Sequence, residues 1–351
     1  MKIRDVLVQR ANNQRLTSAG FKDVADVVRW FGAVQAQDFH AAKWALALRM
    51  RGEPATAALE AAYNEGRILR THVMRPTWHF VAPEDIRWLL ELTAARVNLR
   101  AATNYRKLEL DGPTFKRCHK VLVKALQGSK HLTRTELKNA LNRSGIAAND
   151  TIRMAHIMLR AELDGVVCSG QRMGKQFTYA LLEERVPAVK ALSREEALAK
   201  LTQRYFASHG PATLADFVWW SGLTAADARR GLVLIDGEIN KERIDDVDYY
   251  FARAKVKAIS APPSAFLLPV YDEYSVAYKK RQIGLGPNVM QAGKIIGTWK
   301  TSIDKNSITV LINAGRTLTT SERSAIANAA QRYVTFLGVN NECLSFAIQT
   351  C

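Results

Sequence analysis

Apolar side chains recur at Val24, Val27, Val28 and Phe31, the three-and-four spacing of a helix with one buried face. The pattern predicts a helix within Phe21 to Ala33 that runs into Val34-Gln35-Ala36-Gln37-Asp38, then an apolar stretch from Ala41 to Met50 and a second helix over about Ala55 to Asn64. The next segment, Arg70 to Val81, is rich in β-branched and aromatic residues around a central Arg75-Pro76, which reads as extended structure bent in the middle. Helices followed by a hairpin make a winged helix-turn-helix.

The pattern then returns. Thr133-Arg-Thr-Glu136 is a capping box opening a helix that stops near Ser144-Gly145, with threonine and glutamate each able to satisfy the other's backbone N–H. A helix over Thr151 to Asp164 follows, then strands at Gly165 to Gly170 and Gln176 to Ala180 around a polar tip, Gln171 to Lys175. Thr213-Leu-Ala-Asp216 is a third start, ending at Ser221-Gly222, with a helix over Thr224 to Gly231 and strands near Leu232 to Ile235 and Tyr249 to Ala252. From Pro262 the texture changes to short strand-like runs, Ala265 to Tyr271, Lys294 to Lys300 and Ser307 to Asn313, and then a helix from Thr320 to Phe336. The predicted class is α+β: three tandem winged helix-turn-helix units over residues 1–108, 109–186 and 193–260, followed by a small C-terminal β-barrel-like domain over 261–351.

Charge narrows the partner. The chain of 351 residues carries a formal net charge of +17. Between Arg100 and Arg143 stand eleven basic residues against three acidic ones, about half the surplus in an eighth of the length. Such a density suits a polyanion, because each neutralised phosphate releases condensed counterions. No apolar run approaches the ~20 residues of a spanning helix, so no membrane role is expected. The opening Met-Lys-Ile-Arg-Asp-Val places charge where a secretion signal needs apolar residues, and a cytoplasmic location is expected. Cys118, Cys168, Cys343 and Cys351 form no Cys-x-x-Cys and stand near no histidine at ligand spacing, so they read as free thiols with no structural zinc and no metal or other cofactor.

A winged helix alone implies only a DNA reader, and function has to come from a site. Gln35-Ala36-Gln37 stands out. Two amides separated by one residue share a side only in extended or turn backbone, so they address one small target if the helix ends before them, or else cap backbone groups there. Asp38 reads as the cap of the next helix, and is otherwise the nearby carboxylate able to support catalysis. His72, Arg75 and His79 on the bent hairpin, and Arg172 and Lys175 at the second tip, are candidate contacts to DNA. Trp219-Trp220 reads as core. Tyr271-Asp272-Glu273 suggests only a turn held by an aspartate.

Three segments carry a resemblance. Phe31-Gly-Ala-Val-Gln35-Ala-Gln37-Asp38, His72-Val-Met-Arg75-Pro-Thr77-Trp-His79, and Leu267-Leu-Pro-Val-Tyr271-Asp272-Glu273-Tyr274 with Gly297-Thr-Trp299 resemble the tandem winged-helix DNA glycosylases of the AlkZ type, from about residue 5 to residue 345. The resemblance implies three winged helices and a β-barrel around a DNA channel, with the Gln-apolar-Gln motif as catalytic centre. It also implies N7-alkylated purines in double-stranded DNA as substrates, interstrand crosslinks among them. A related branch carries Asp in the second position; Gln37 places this chain with the double-glutamine branch. Gln35 and Gln37 become the catalytic candidates. The chemistry is consistent from below, since an N7-alkylpurine already carries positive charge and leaves readily, so that two neutral amides need only hold a water and favour charge at the sugar. The competing readings are a transcription regulator and a non-catalytic architectural binder. A regulator usually dimerises to match half-sites, and the absence of a heptad segment favours a monomer; an architectural binder leaves the glutamines unexplained.

Overall fold

The computed structural model describes residues 1–253, 265–280, 284–303, 307–339 and 344–350. The fold is mixed α+β. In the first unit β1 (Val34–Gln35), β2 (Leu69–Val73) and β3 (Arg75–Val81) form an antiparallel sheet of order β1-β3-β2. Helices Phe39–Ala47 and Thr56–Asn64 lie between the first strand and the hairpin. The second unit repeats this order with β4 (Leu132–Thr133), helices Arg134–Arg143 and Thr151–Leu163, then β5 (Val167–Ser169) and β6 (Thr178–Leu181), sheet order β4-β6-β5. In the third, Ala212 bridges Tyr250, helices Leu214–Ser221 and Ala225–Leu234 follow, and β7 (Ile239–Ile244) pairs with β8 (Val247–Ala252). Each unit is a short strand or bridge, two helices, and a hairpin whose second strand returns to the first.

Local chemistry sets these starts. The Thr133 N–H donates to Glu136 Oε2 at 2.7 Å while Glu136 N–H donates to Thr133 Oγ1 at 3.3 Å. Thr213 and Asp216 make the same reciprocal pair at 3.0 and 3.1 Å. Each satisfies two N–H groups that a helix start leaves open. The helix Leu214–Ser221 stops at Gly222, whose φ of 70° is left-handed. That glycine lies so close to the first unit's hairpin that a Cβ would come within 2.3 Å of the Met74 carbonyl oxygen.

One expected strand is helix. Leu232 to Leu234 close the helix Ala225–Leu234, and the first hairpin strand is Ile239–Ile244. Gly231 does not end the helix; it lets two helices touch, because a Cβ there would lie 2.2 Å from Thr202 Oγ1. A short apolar run after a glycine is ambiguous between strand and helix.

The C-terminal part is a five-stranded sheet of order β13-β12-β11-β10-β9, with β9 (Ala265–Leu268), β10 (Asn288–Gln291), β11 (Lys294–Ile303), β12 (Ile308–Ala314) and β13 (Leu344–Thr350). Among the described residues of this sheet only β12 and β13 run parallel. A parallel pair needs a crossover, and the helix Thr320–Leu337 lies in that connection. Among the described residues no helix is long and apolar enough to cross a membrane. Cys118 and Cys168 are buried free thiols, and burial raises both, Cys168 to about 12. Cys343 and Cys351 lie outside the described residues, as does the boundary expected at 260/261.

Two apolar cores meet in the first unit. One joins Leu69, Val73 and Ile86 to Leu137 and Leu163 of the second unit and Trp220 of the third. The other joins Phe31, Val34 and Phe80 to Leu267, Trp299 and Phe336 of the C-terminal part. Across the second core runs a buried ion pair: Arg49, 1% exposed, donates from both terminal nitrogens to Asp272, 0% exposed, at 2.8 Å each. Arg49 also donates to Gln14 Oε1 at 2.9 Å.

Removing one partner would strand a buried charge. Asp272→Ala is expected to lower unfolding stability by about 3 to 5 kcal/mol, read as a shift in urea midpoint at unchanged slope. The double change Arg49→Met with Asp272→Leu is expected to cost less than the single one. Equal losses would show that the charge itself is unimportant.

Candidate active site

The helix Val24–Phe31 ends at Gly32, and the chain turns extended through β1. Extended backbone places Gln35 and Gln37 on one side, with Ala36 fully buried on the other. Ala36 N–H donates to the Trp78 carbonyl at 2.8 Å. Gln35 is 7% exposed and its Oε1 accepts from Gln37 N–H at 3.2 Å. Gln37 is exposed, and its Oε1 accepts from Trp78 N–H at 3.4 Å. The Nε2 groups of both glutamines hydrogen-bond to no described residue. Arg70, on β2, fixes the segment's carbonyls, donating from Nε to Ala36 O at 2.9 Å and from a terminal nitrogen to Gln37 O at 3.1 Å. Its guanidinium sits 4.4 Å from the Trp78 ring centre and 4.9 Å from that of Phe177, a cation–π arrangement.

Behind the strand lies a buried carboxylate. Glu273 Oε1 accepts from Gln35 N–H at 2.7 Å, and its Oε2 accepts from Trp220 Nε1 at 3.0 Å and from His209 Nε2 at 3.1 Å. Burial opposes its charge, but the His209 contact, the Gln35 N–H and the nearby positive Arg75 hold the carboxyl down at about 2. Burial also lowers His209, so the pair is a carboxylate accepting a hydrogen bond from a neutral imidazole.

The other candidates are scattered. Asp38 caps the helix Phe39–Ala47, accepting from Ala41 N–H at 2.9 Å. His72 is held by Glu162, whose Oε2 lies 2.7 Å from Nδ1 and accepts from the His72 N–H at 2.8 Å, while its ring lies 4.4 Å from that of Trp78. Arg75 is half-buried at the start of β3, where its charge lowers both His79 and Glu273. His79 is fully buried, which leaves it no surface for a phosphate; burial first, then Arg75, pushes it to about 3. Arg172 ties the tip to the first unit, pairing with Glu60 at 3.2 Å and lying over Phe39 and Phe177. Lys175 is exposed and lines a groove of about 350 Å³ with Arg70, Trp78, Glu162 and Arg134. Nine of the eleven basic residues between Arg100 and Arg143 are exposed, and none makes an ion pair with a described carboxylate.

The family model described as DNA glycosylase AlkZ-like matches residues 28–336. The chain belongs to this family. It is therefore a DNA glycosylase, a hydrolase that binds and repairs DNA. Streptomyces sahachiroi DNA glycosylase AlkZ is similar in structure, with a TM-score of 0.81, 19% sequence identity and 100% of each chain covered; at that identity the likeness speaks for the fold. No curated protein matches significantly.

Sequence reasoning missed Arg70, Glu162, His209 and the role of Glu273 in this AlkZ-like chain. Glu273 lies within the Tyr271-Asp272-Glu273 segment, but its partners stand 238, 64 and 53 residues away. No local spacing signals such contacts.

Both His79 and Glu273 have folded values below their ordinary 6.5 and 4.5. Each therefore contributes stability that is full above the ordinary value and lost as pH falls toward the folded one. The urea midpoint is expected to fall steadily from pH 6.5 toward about 3, with Glu273 contributing below 4.5. His79→Gln should flatten the upper part of that fall, and an unchanged profile in this variant would contradict a depressed His79.

Proposed function

We propose that the protein is a monofunctional glycosylase hydrolysing the N-glycosidic bond of N7-alkylated purines in double-stranded DNA, with Gln35 and Gln37 positioning the attacking water. The observation that carries this reading is the exposed Gln37 amide beside a groove where Arg70, Arg134 and Lys175 bring positive charge from two units. An N7-alkylpurine is already cationic, so fixed dipoles near the sugar suffice to favour the developing charge. No strong base is needed.

The repeated units over 1–108, 109–186 and 193–260 are read as winged helix-turn-helix modules, and 261–351 as a barrel-like β domain. Lys175 and Arg134, together with Arg75, His72 and Arg172, serve the phosphate backbone, and the exposed cations of residues 100–143 extend that footprint. Asp38 supports the motif as the cap of the next helix. A base tied to the opposite strand cannot rotate into a closed pocket, and a surface-exposed Gln37 does not require it to; bases in interstrand crosslinks are therefore within the substrate range. The enzyme works as a monomer in the cytoplasm and needs no cofactor.

Gln37→Ala is expected to slow single-turnover release of 7-methylguanine by about 10²-fold while duplex affinity stays near wild type. Rates within about threefold, far short of that loss, would make the motif structural. Lys175→Ala is expected to weaken duplex binding across sequences and reduce the slope of log affinity against log salt by about one. An unchanged slope would take Lys175 off the backbone.

A further inference from the structure

His79 carries an unanswered acceptor. Its Nδ1 lies 2.9 Å from the Thr77 carbonyl oxygen, which only accepts, so the ring proton sits on Nδ1. The ring is neutral at physiological pH, because burial holds it near 3. Nε2 is then a bare lone pair, buried and without a protein partner among the described residues. Thr77 Oγ1 is buried and unpartnered in the same way. Buried polar atoms are nearly always hydrogen-bonded, to protein or to ordered water.

The two groups share a place. Residues 77 and 79 alternate onto one face of β3. Gln35 stands directly opposite His79 in the β1–β3 ladder, and opposed residues of an antiparallel pair share a face about 5 Å apart. Gln35 Nε2 brings a donor that no described residue uses. A lone-pair acceptor, a hydroxyl and an amide donor are the two to four partners that an ordered water requires. Thr77 is half-buried where His79 is fully buried, so the set grades from the interior toward the surface beside Gln37.

We propose that His79, Thr77 and the Gln35 carboxamide seat the hydrolytic water, with His79 Nε2 accepting one of its protons. This rests on the N7-alkylpurine reading above. The water then keeps a lone pair free for the sugar. Its oxygen bonds to C1′ as the C1′–N9 bond breaks, and the bonding pair returns to the purine, neutralising the cationic ring. One proton remains. His79 is too weak a base to keep it, so His79 orients the water and the proton passes on to solvent. The assignment replaces a contact with DNA by a contact with the nucleophile, and it adds His79 and Thr77 to the glutamines that position the water.

The test is single-turnover release of 7-methylguanine from duplex DNA, measured beside DNA affinity and thermal unfolding, for His79→Phe, His79→Gln and Thr77→Val. His79→Phe keeps a ring but no lone pair and is expected to slow release by about 10²-fold at unchanged DNA affinity. His79→Gln, whose Oε1 reaches a similar position, should recover most of the rate, and Thr77→Val should slow release by less than the phenylalanine. A phenylalanine variant at the wild-type rate, or a glutamine variant no faster than it, overturns the assignment. Should the phenylalanine variant not fold, Thr77→Val at the wild-type rate overturns it instead. Wild-type protein that releases no 7-methylguanine brings down the substrate reading and this assignment together, whereas active wild type with indifferent variants removes only the assignment.

Discussion

Two neighbouring carboxylates, Asp272 and Glu273, carry charge into the interior, and the architecture around β1 is arranged to answer them. Asp272 is met by both terminal nitrogens of Arg49, and Glu273 by the Gln35 N–H, the Trp220 indole and His209. An ionised carboxylate left bare in a core is strongly unfavourable. The donors come from the first and third units and the acids from the C-terminal part, so the three parts have to be in register before the charges are tolerated. The segment bearing the two glutamines is thereby positioned by residues far from it in sequence.

The same arrangement orders charge by depth. Cations without carboxylate partners lie on the surface helices, neutral amides line the candidate site, and an anion sits one hydrogen bond behind Gln35. Surface cations attract a phosphate backbone over distances set by ionic strength, while buried charge acts at short range with little screening. A fixed anion behind the amides favours positive charge in front of them, which is the sign that a departing base leaves on the sugar. In the proposed reaction, binding and chemistry therefore draw on different charges.

Much of the frame was legible because it rests on local chemistry. Thr133 with Glu136, and Thr213 with Asp216, announced their helices through reciprocal caps. Whether the Gln35-Ala36-Gln37 segment leaves the helix stayed open in the sequence, and it is Gly32 before it and the capping Asp38 after it that bracket it as extended chain. The strand expected at Leu232 to Ile235 failed because Gly231 was taken as the end of its helix, whereas its use is closeness to Thr202. Burial was also out of reach: His79 stands between half-buried Trp78 and fully buried Phe80 on β3, and only the packing of two cores behind the sheet decides what water reaches.

Gly222 illustrates how far the site extends. It caps a helix in the third unit, yet its missing side chain is what allows the Met74 carbonyl to pass, one residue before Arg75 and the strand that carries Thr77 and His79. Any side chain there must push that hairpin, and with it the sheet on which Gln35 is laid. With the glutamines in the role proposed for them, changes at this distant glycine would group with changes at Gln35 and Gln37 in a genetic screen for lost repair, and a map drawn from phenotype alone would spread the site across two units.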